Sequence, residues 1–188
     1  MRTIISLIRP AIVCFAVLTL LTGVLYPAFV TGVAQAAYPH QANGSIMKAT
    51  LADGTVREIG SSLLAQPFTE PKYLIGRPAG PATNLSSVGD KQEEAVQQRI
   101  ARWHELDPAN KQDIPLDLVT VSGSGVDPHI TPAAADYQVS RIARERGIGE
   151  DEVRRIIKQH TSERFLGFWG EPAVNVLQVN AALDGLSR

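Results

Sequence analysis

The sequence predicts an α+β protein: one N-terminal transmembrane helix followed by a compact extracytoplasmic domain, with a small, mostly antiparallel sheet and three to four helices. Three observations predict it. No charged residue occurs between Pro10 and Met47, and the first part of that run lacks the polar face of a soluble helix. Beyond it, short apolar runs are punctuated by turn signals, beginning with Asp53-Gly54. Helical periodicity with its own start residues then recurs at Asp90, Thr131 and Glu150.

The N-terminal part divides at its charges. Residues 1–10, with Arg2 and Arg9, read as a cytoplasmic N-terminus, and residues 11–33 as the transmembrane helix. The stretch Ala11–Val33 is twenty-three residues long, and at about 1.5 Å per residue it spans roughly 34 Å, enough for a hydrocarbon core of about 30 Å. Within it, Thr19, Thr22 and Gly23 offer small or polar surface on which a partner helix can pack closely. A cleaved signal peptide is the competing reading, since Ala34-Gln35-Ala36 has the small-x-small pattern of a cleavage site. The apolar region of such a peptide is usually only about 7–15 residues long. In both readings the first charge after the span is Lys48, so residues 34–45 form a linker and 46–188 an extracytoplasmic domain.

In that domain Ile46–Leu51 and Val56–Ile59 flank a hairpin turn. Ser61–Gln66 has the length of a short helix ended by Pro67, and the Pro-, Gly-, Ser- and Asn-rich stretch from Thr69 to Val88 reads as a long ordered loop. Asp90 and Glu93 have capping-box spacing, and Ala95, Val96, Ile100, Trp103 and Leu106 fall on one helical stripe. Leu116–Val121 is a candidate buried strand. Thr131 and Pro132 start a helix predicted to reach Arg146, with Gly147 as its stop, and a further helix runs from Glu150 to His160. Ala173–Leu177 is a candidate strand, followed by a short terminal helix near Val179–Leu183.

Composition excludes several functions. The formal net charge is −1, which gives no field for binding nucleic acid. Cys14 is the only cysteine, so an intramolecular disulfide and a paired-cysteine metal site are both impossible. The four histidines, His40, His104, His129 and His160, have no metal-ligand spacing. The sharpest local feature is Ser122-Gly123-Ser124-Gly125, between a predicted strand and the Thr131-Pro132 helix start. Such a loop can gather backbone N–H groups around a small anion, or can simply turn a strand onto a helix. It lacks the lysine of a phosphate loop and the third glycine of a dinucleotide fingerprint. A serine nucleophile with His129 as base and Asp127 or Asp136 as orienter has the right residue types but not the nucleophile-elbow spacing. No catalytic residue and no metal ligand are therefore assigned. From the residues alone, a membrane-anchored extracytoplasmic protein that binds a small anion remains an open reading.

Four segments in this order, GSSLLAQPF (60–68), YLIGRPA (73–79), DLVTVSGSGVDPHITPAAADYQ (117–138) and GEPAVNVLQVNAAL (170–183), follow one N-terminal span. Together they resemble the C-subunit family of bacterial Kdp-type potassium-transporting ATPases, over nearly the whole chain. The resemblance implies a non-catalytic accessory subunit of an ATP-driven, high-affinity potassium uptake complex in the bacterial inner membrane. Such a subunit is needed for assembly and acts as a catalytic chaperone that raises the ATP affinity of the P-type ATPase subunit. The implied partners are that ATPase subunit, a channel-like potassium-binding subunit, a small membrane peptide and the lipid bilayer. The resemblance implies no tightly bound cofactor, ATP being reached through the complex. A family-implied nucleotide contact maps to Ser122, Gly123, Ser124, Gly125 and Gln138. The segment between Arg77 and Asp90 is compressed relative to many members, and Ala79 stands where serine is common. The positive-inside argument places the domain away from cytoplasmic ATP, so any effect on nucleotide affinity is expected to be indirect.

Overall fold

The computed structural model describes residues 2–51, 53–78 and 89–186, and the chain separates into two units at Ser45/Ile46. Ala79 and most of the compressed segment between Arg77 and Asp90 lie outside the described residues.

The first unit is one apolar helical run with a local defect. Helix α1 (Arg2–Thr19) passes through a π-helical turn (Leu20–Leu25) into α2 (Tyr26–Ala37), and a single turn, α3 (Pro39–Ala42), follows. Ser6–Ala37 is long and apolar enough to cross a membrane. The defect has an identifiable cause. Pro27 has no N–H, and its ring would press on the carbonyl one turn back, at Gly23. In the widened turn the Tyr26 N–H reaches back five residues to Leu21 O. Thr22 Oγ1 also donates to Leu18 O at 2.7 Å, which ties the turn to the regular helix before it.

The second unit opens with the expected hairpin, β1 (Ile46–Thr50) and β2 (Val56–Ser61), paired antiparallel. Asp53 closes its turn by accepting from Thr55 N and Thr55 Oγ1 at 2.9 and 2.6 Å. A bulge interrupts the register after Met47, opposite Gly60, whose φ of +137° favours glycine. Helix α4 (Asp90–Leu106) follows the predicted stripe, with Trp103 buried and Val96, Ile100 and Leu106 against the core. Its N-cap is Gly89 rather than Asp90. The Gly89 carbonyl accepts from the Gln92 and Glu93 amides, and the two acids lie in the first turn, favourable to the helix dipole.

A second sheet has the order β3-β5-β4, formed by β3 (His129–Ile130), β4 (Thr161–Ser162) and β5 (Ala173–Asn175), all antiparallel. Helices α5 (Pro132–Asp136), α6 (Val139–Arg146), α7 (Glu150–Gln159) and α8 (Val176–Leu183) complete the unit. The main core joins Leu74, Trp103, Leu118, Ile142, Val153, Val174 and Val179, and a smaller cluster places Met47 with Leu177 and Ala181.

Four sequence expectations are corrected. The strand expected over Ala173–Leu177 ends at Asn175, whose side chain accepts from Gln178 N and starts α8 already at Val176. Ser61 ends β2 and residues 62–66 are a turn and irregular chain rather than a helix, because Ser61 Oγ accepts from Leu63 N at 3.1 Å and the Ala65 amide leaves for Val126 O at 2.8 Å. Leu116–Val121 is a 3₁₀ turn (Leu116–Leu118) and irregular chain, which buries Leu118 and Val119 without pairing in a sheet. The single helix expected from Thr131 to Arg146 breaks at Tyr137-Gln138. There the Ala134 carbonyl accepts from the Gln138 side chain at 3.1 Å, while the Gln138 amide bonds to Ala135 O. The predicted ends hold: Thr131 Oγ1 accepts from Ala134 N, and Gly147 stops α6 in the left-handed region at φ +66°.

Candidate functional site

Residues 71–77 belong to no sheet, yet side chains hydrogen-bond every carbonyl from Pro71 to Ile75 and the amides of Leu74 and Ile75. Arg141 donates to the carbonyls of Pro71 and Tyr73, and Arg146 Nε donates to Lys72 O at 2.7 Å. Asn180 takes both backbone groups of Leu74, accepting from its N–H at 2.8 Å and donating to its carbonyl at 2.9 Å. Gln138 does the same for Ile75, with both bonds 2.9 Å long. Two side-chain amides thus replace a neighbouring strand.

Arg77 continues the line. Its guanidinium reaches Thr120 O and Oγ1 and Val121 O at 3.3 to 3.5 Å, and lies 3.8 Å from Asp127 Oδ2. The serine-glycine loop is held from other directions as well. Val126 O accepts from Ala65 N and Pro128 O from Val176 N, while Asn175 Nδ2 donates to Ser62 O and joins the first and last of the four segments to each other. The four segments singled out in the sequence are therefore one hydrogen-bonded network, built around residues 71–77.

A cleft of about 430 Å³ opens beside this network. Phe68, Ile75, Trp103, Leu118 and Leu177 line it with apolar surface, Gly125, Val126 and Asp127 border it from the loop, and Arg77, Arg99 and Arg102 supply positive charge. Arg99 Nη1 is engaged with Val119 O at 2.8 Å.

Inside the loop the polar groups largely serve one another. Ser122 Oγ accepts from Gly125 N at 2.9 Å and Asp127 N at 3.5 Å, and lies 3.4 Å from Ser124 Oγ, which accepts from Val126 N at 3.2 Å. Gly123 is exposed, and Gly125 has φ +73°. Gln138 is 1 % exposed. Its Nε2 donates to Ile75 O and Ala134 O, and its Oε1 accepts from Ile75 N and Arg141 Nη2. Gln138 and the serine loop are thus tied to one strut, at Ile75 and Arg77 respectively. His129 Nδ1 lies 3.5 Å from Asp127 Oδ1 and its Nε2 lies 3.4 Å from Asn175 Nδ2, so neither nitrogen addresses a serine. Asp127 accepts from His129 N at 3.0 Å, and Asp117 accepts from Thr131 N at 2.7 Å. Both are backbone caps. In the first unit Thr19, Thr22 and Gly23 lie on the exposed helix, and a Cβ at Gly23 would meet only the Thr19 methyl group, at 3.9 Å.

Burial is the leading cause of the shifted ionisations of Arg141, Tyr137 and Tyr73. It is the main cause pushing Arg141 down to about 10, with Asp107 opposing it. Burial likewise raises Tyr137 and, together with a hydrogen bond to Asp184, Tyr73. Tyr137 Oη and Arg141 Nε have no partner among the described residues.

The family model "K+-transporting ATPase, c chain" matches residues 8–185. The chain belongs to the KdpC family. A potassium-transporting ATPase KdpC subunit from Listeria monocytogenes serovar 1/2a is 57 % identical over 188 residues, 99 % of each chain. Counterparts from Sorangium cellulosum and Herpetosiphon aurantiacus are 49 % and 46 % identical, covering 95 % and 94 % of this chain and 97 % and 94 % of their own. Asn180 escaped the sequence reading, and Arg141 and Arg146, whose acidic neighbours suggest a solvated basic face, are instead turned inward onto backbone carbonyls, Arg141 being fully buried. An asparagine within VLQVNAAL, where apolar residues surround it, was the available signal for Asn180.

Proposed function

We propose that this chain is the non-catalytic accessory subunit of an ATP-driven, high-affinity potassium uptake complex, needed for assembly and raising the ATP affinity of the P-type ATPase subunit. The observation that carries this reading is an apolar helical run, Ser6–Ala37, long enough to cross a membrane and joined to a second compact unit, in a chain of the KdpC family. Its partners are the P-type ATPase subunit, a channel-like potassium-binding subunit and a small membrane peptide. Arg2 and Arg9 before the span and Lys48 as the first charge after it support a cytoplasmic N-terminus and an extracytoplasmic main domain.

The chaperone effect then acts through assembly. The serines of the Ser122–Gly125 loop already take the amides of Gly125, Val126 and Asp127, and the Gln138 amide is occupied on every side. A C-terminal tag on the full chain, in membranes solubilised with mild detergent, should recover the other subunits in fixed stoichiometry. ATP titrations of the complex with and without this chain should show weaker nucleotide binding in its absence. Recovery of the chain alone, or unchanged ATP affinity, would refute the assembly role or the chaperone role respectively.

The arginines around the cleft favour one second reading, a site for a small anion. Saturable binding of inorganic phosphate by the full chain alone, abolished in Arg102→Ala, would support it.

A further inference from the structure

The hairpin between β4 and β5 carries an apolar tip that the core does not use. Phe165, Leu166, Phe168 and Trp169 are between 69 and 72 % exposed. The tip is ordered. Phe165 N donates to Trp169 O at 2.8 Å and Trp169 N to Phe165 O at 3.0 Å, while Leu166 and Gly167 turn the chain with φ of +53° and +80°. Residues 165–170 carry no charge, and at the neck Arg164 pairs with Glu171 at 2.6 Å. Four large apolar side chains grouped on one convex loop are not a scattered surface feature.

We propose that this tip is a second membrane contact, entering the interfacial layer of the lipid bilayer on the side where the domain lies. The inference rests on the reading that Ser6–Ala37 crosses the bilayer. Residues 38–45 are the whole connection between the apolar helix and Ile46, and eight residues reach at most about 28 Å. A unit of this length has a radius of gyration of about 14 Å, so the domain is confined to the neighbourhood of the lipid surface. An aromatic and leucine tip above a paired Arg-Glu neck matches the interface, where acyl chains give way to headgroups. A fluid layer accepts a convex loop without a complementary pocket.

The two tryptophans make this testable in the full chain, because Trp103 is 5 % exposed and Trp169 is 71 % exposed. The chain would be reconstituted into nanodiscs of phosphatidylcholine and phosphatidylglycerol, with or without lipid carrying a nitroxide near the headgroup. Subtracting the emission of Trp169→Phe isolates Trp169. The expected result is about twofold stronger quenching of Trp169 by nitroxide lipid than by aqueous acrylamide. The paired substitutions Phe165→Ser and Phe168→Ser should reverse that preference while Trp103 emission and helicity stay unchanged. Acrylamide access equal to that of a free tryptophan, with no lipid quenching, would overturn the proposal. So would shielding from acrylamide that arises only when the other subunits are added, which would mean that a protein surface covers the tip. Release of the chain from membranes by alkaline carbonate would instead overturn the anchor on which the proposal depends.

Discussion

Replacing Gln138 by leucine separates a structural role from a nucleotide contact. The substitution keeps the side-chain volume close to native but deletes four hydrogen bonds, to Ile75 N, Ile75 O, Ala134 O and Arg141 Nη2. The Ile75 amide and carbonyl face the bridge and no neighbouring strand, so both lose these bonds together. Each orphaned backbone group costs about 1–3 kcal/mol, and the charge-assisted bond to Arg141 contributes about 1.5–3 kcal/mol. After the gain from burying leucine, a net loss of about 3–5 kcal/mol remains. That is a large part of the roughly 5–15 kcal/mol that holds a domain together. The assay is urea unfolding of the full chain in nanodiscs, followed by the buried Trp103. Gln138→Glu is the comparison, since it keeps an acceptor for Arg141 but loses the donors to Ile75 and Ala134. It should fall between the native protein and the leucine variant. A leucine variant with a native midpoint, and with ATP affinity of the complex reduced, would refute the bridge and make Gln138 a nucleotide contact.

Three further expectations follow from particular contacts. Tyr137→Phe removes a buried hydroxyl without a partner among the described residues and should leave stability equal or higher, by up to about 1 kcal/mol. It should also flatten the alkaline limb. A tyrosine raised by burial contributes stability that is present below the ordinary phenol value of about 10 and is lost as pH rises through the higher folded value. Arg141, which burial lowers to about 10, works the other way. Its buried charge disfavours folding below about pH 10, and that penalty is relieved as pH rises beyond it towards the ordinary guanidinium range, so the native-minus-variant difference in pH-dependent unfolding isolates the tyrosine. Asp117→Ala should cost about 1 kcal/mol in urea unfolding by freeing the Thr131 amide at the start of α5. An unchanged midpoint would remove Asp117 from that role. Gly23→Leu, placed where only the Thr19 methyl group is near, should lower recovery of the partner subunits in a pull-down without altering the amount of chain in the membrane. Full recovery would place the packing side elsewhere.

Local chemistry made much of this fold legible in the sequence. Asp53-Gly54, Thr131-Pro132 and Gly147 act within a few residues, and each stands where the pattern put it. The stripe from Val96 to Leu106 did the same over about three turns. What stayed hidden depended on distant partners. The strands β3 and β4 are two residues each, too short to show alternation. The apolar run at Leu118 and Val119 looked like a strand because burial, and not pairing, is what apolar residues report. The helix break at Gln138 follows from a side chain taking a backbone acceptor, and no period encodes that competition. The serine-glycine loop was visible as a feature, but which atoms its amides address was not.

The residues that the resemblance implies as a nucleotide contact are joined through residues 71–77, which act as a strut. Gln138 grips Ile75, Asn180 grips Leu74, and Arg77, two residues further on, grips the chain on both sides of Ser122. A load applied at the serine loop therefore passes through Arg77 to residues 71–75, and from there to α6 and α8. Arg146 closes the other end, bonding Lys72 O, Leu183 O and the Asp184 carboxylate. Such a strut transmits position and offers few unspent hydrogen-bond donors, which are what binding ATP directly would require. Under the proposed orientation, with the domain outside the cytoplasm, mechanical continuity of this kind would be the means of altering nucleotide affinity elsewhere in the assembly. Shortening the connection, by Arg77→Ala, should then weaken the effect on ATP affinity while leaving the subunits associated. Loss of association instead would assign Arg77 to assembly and remove the strut from the coupling.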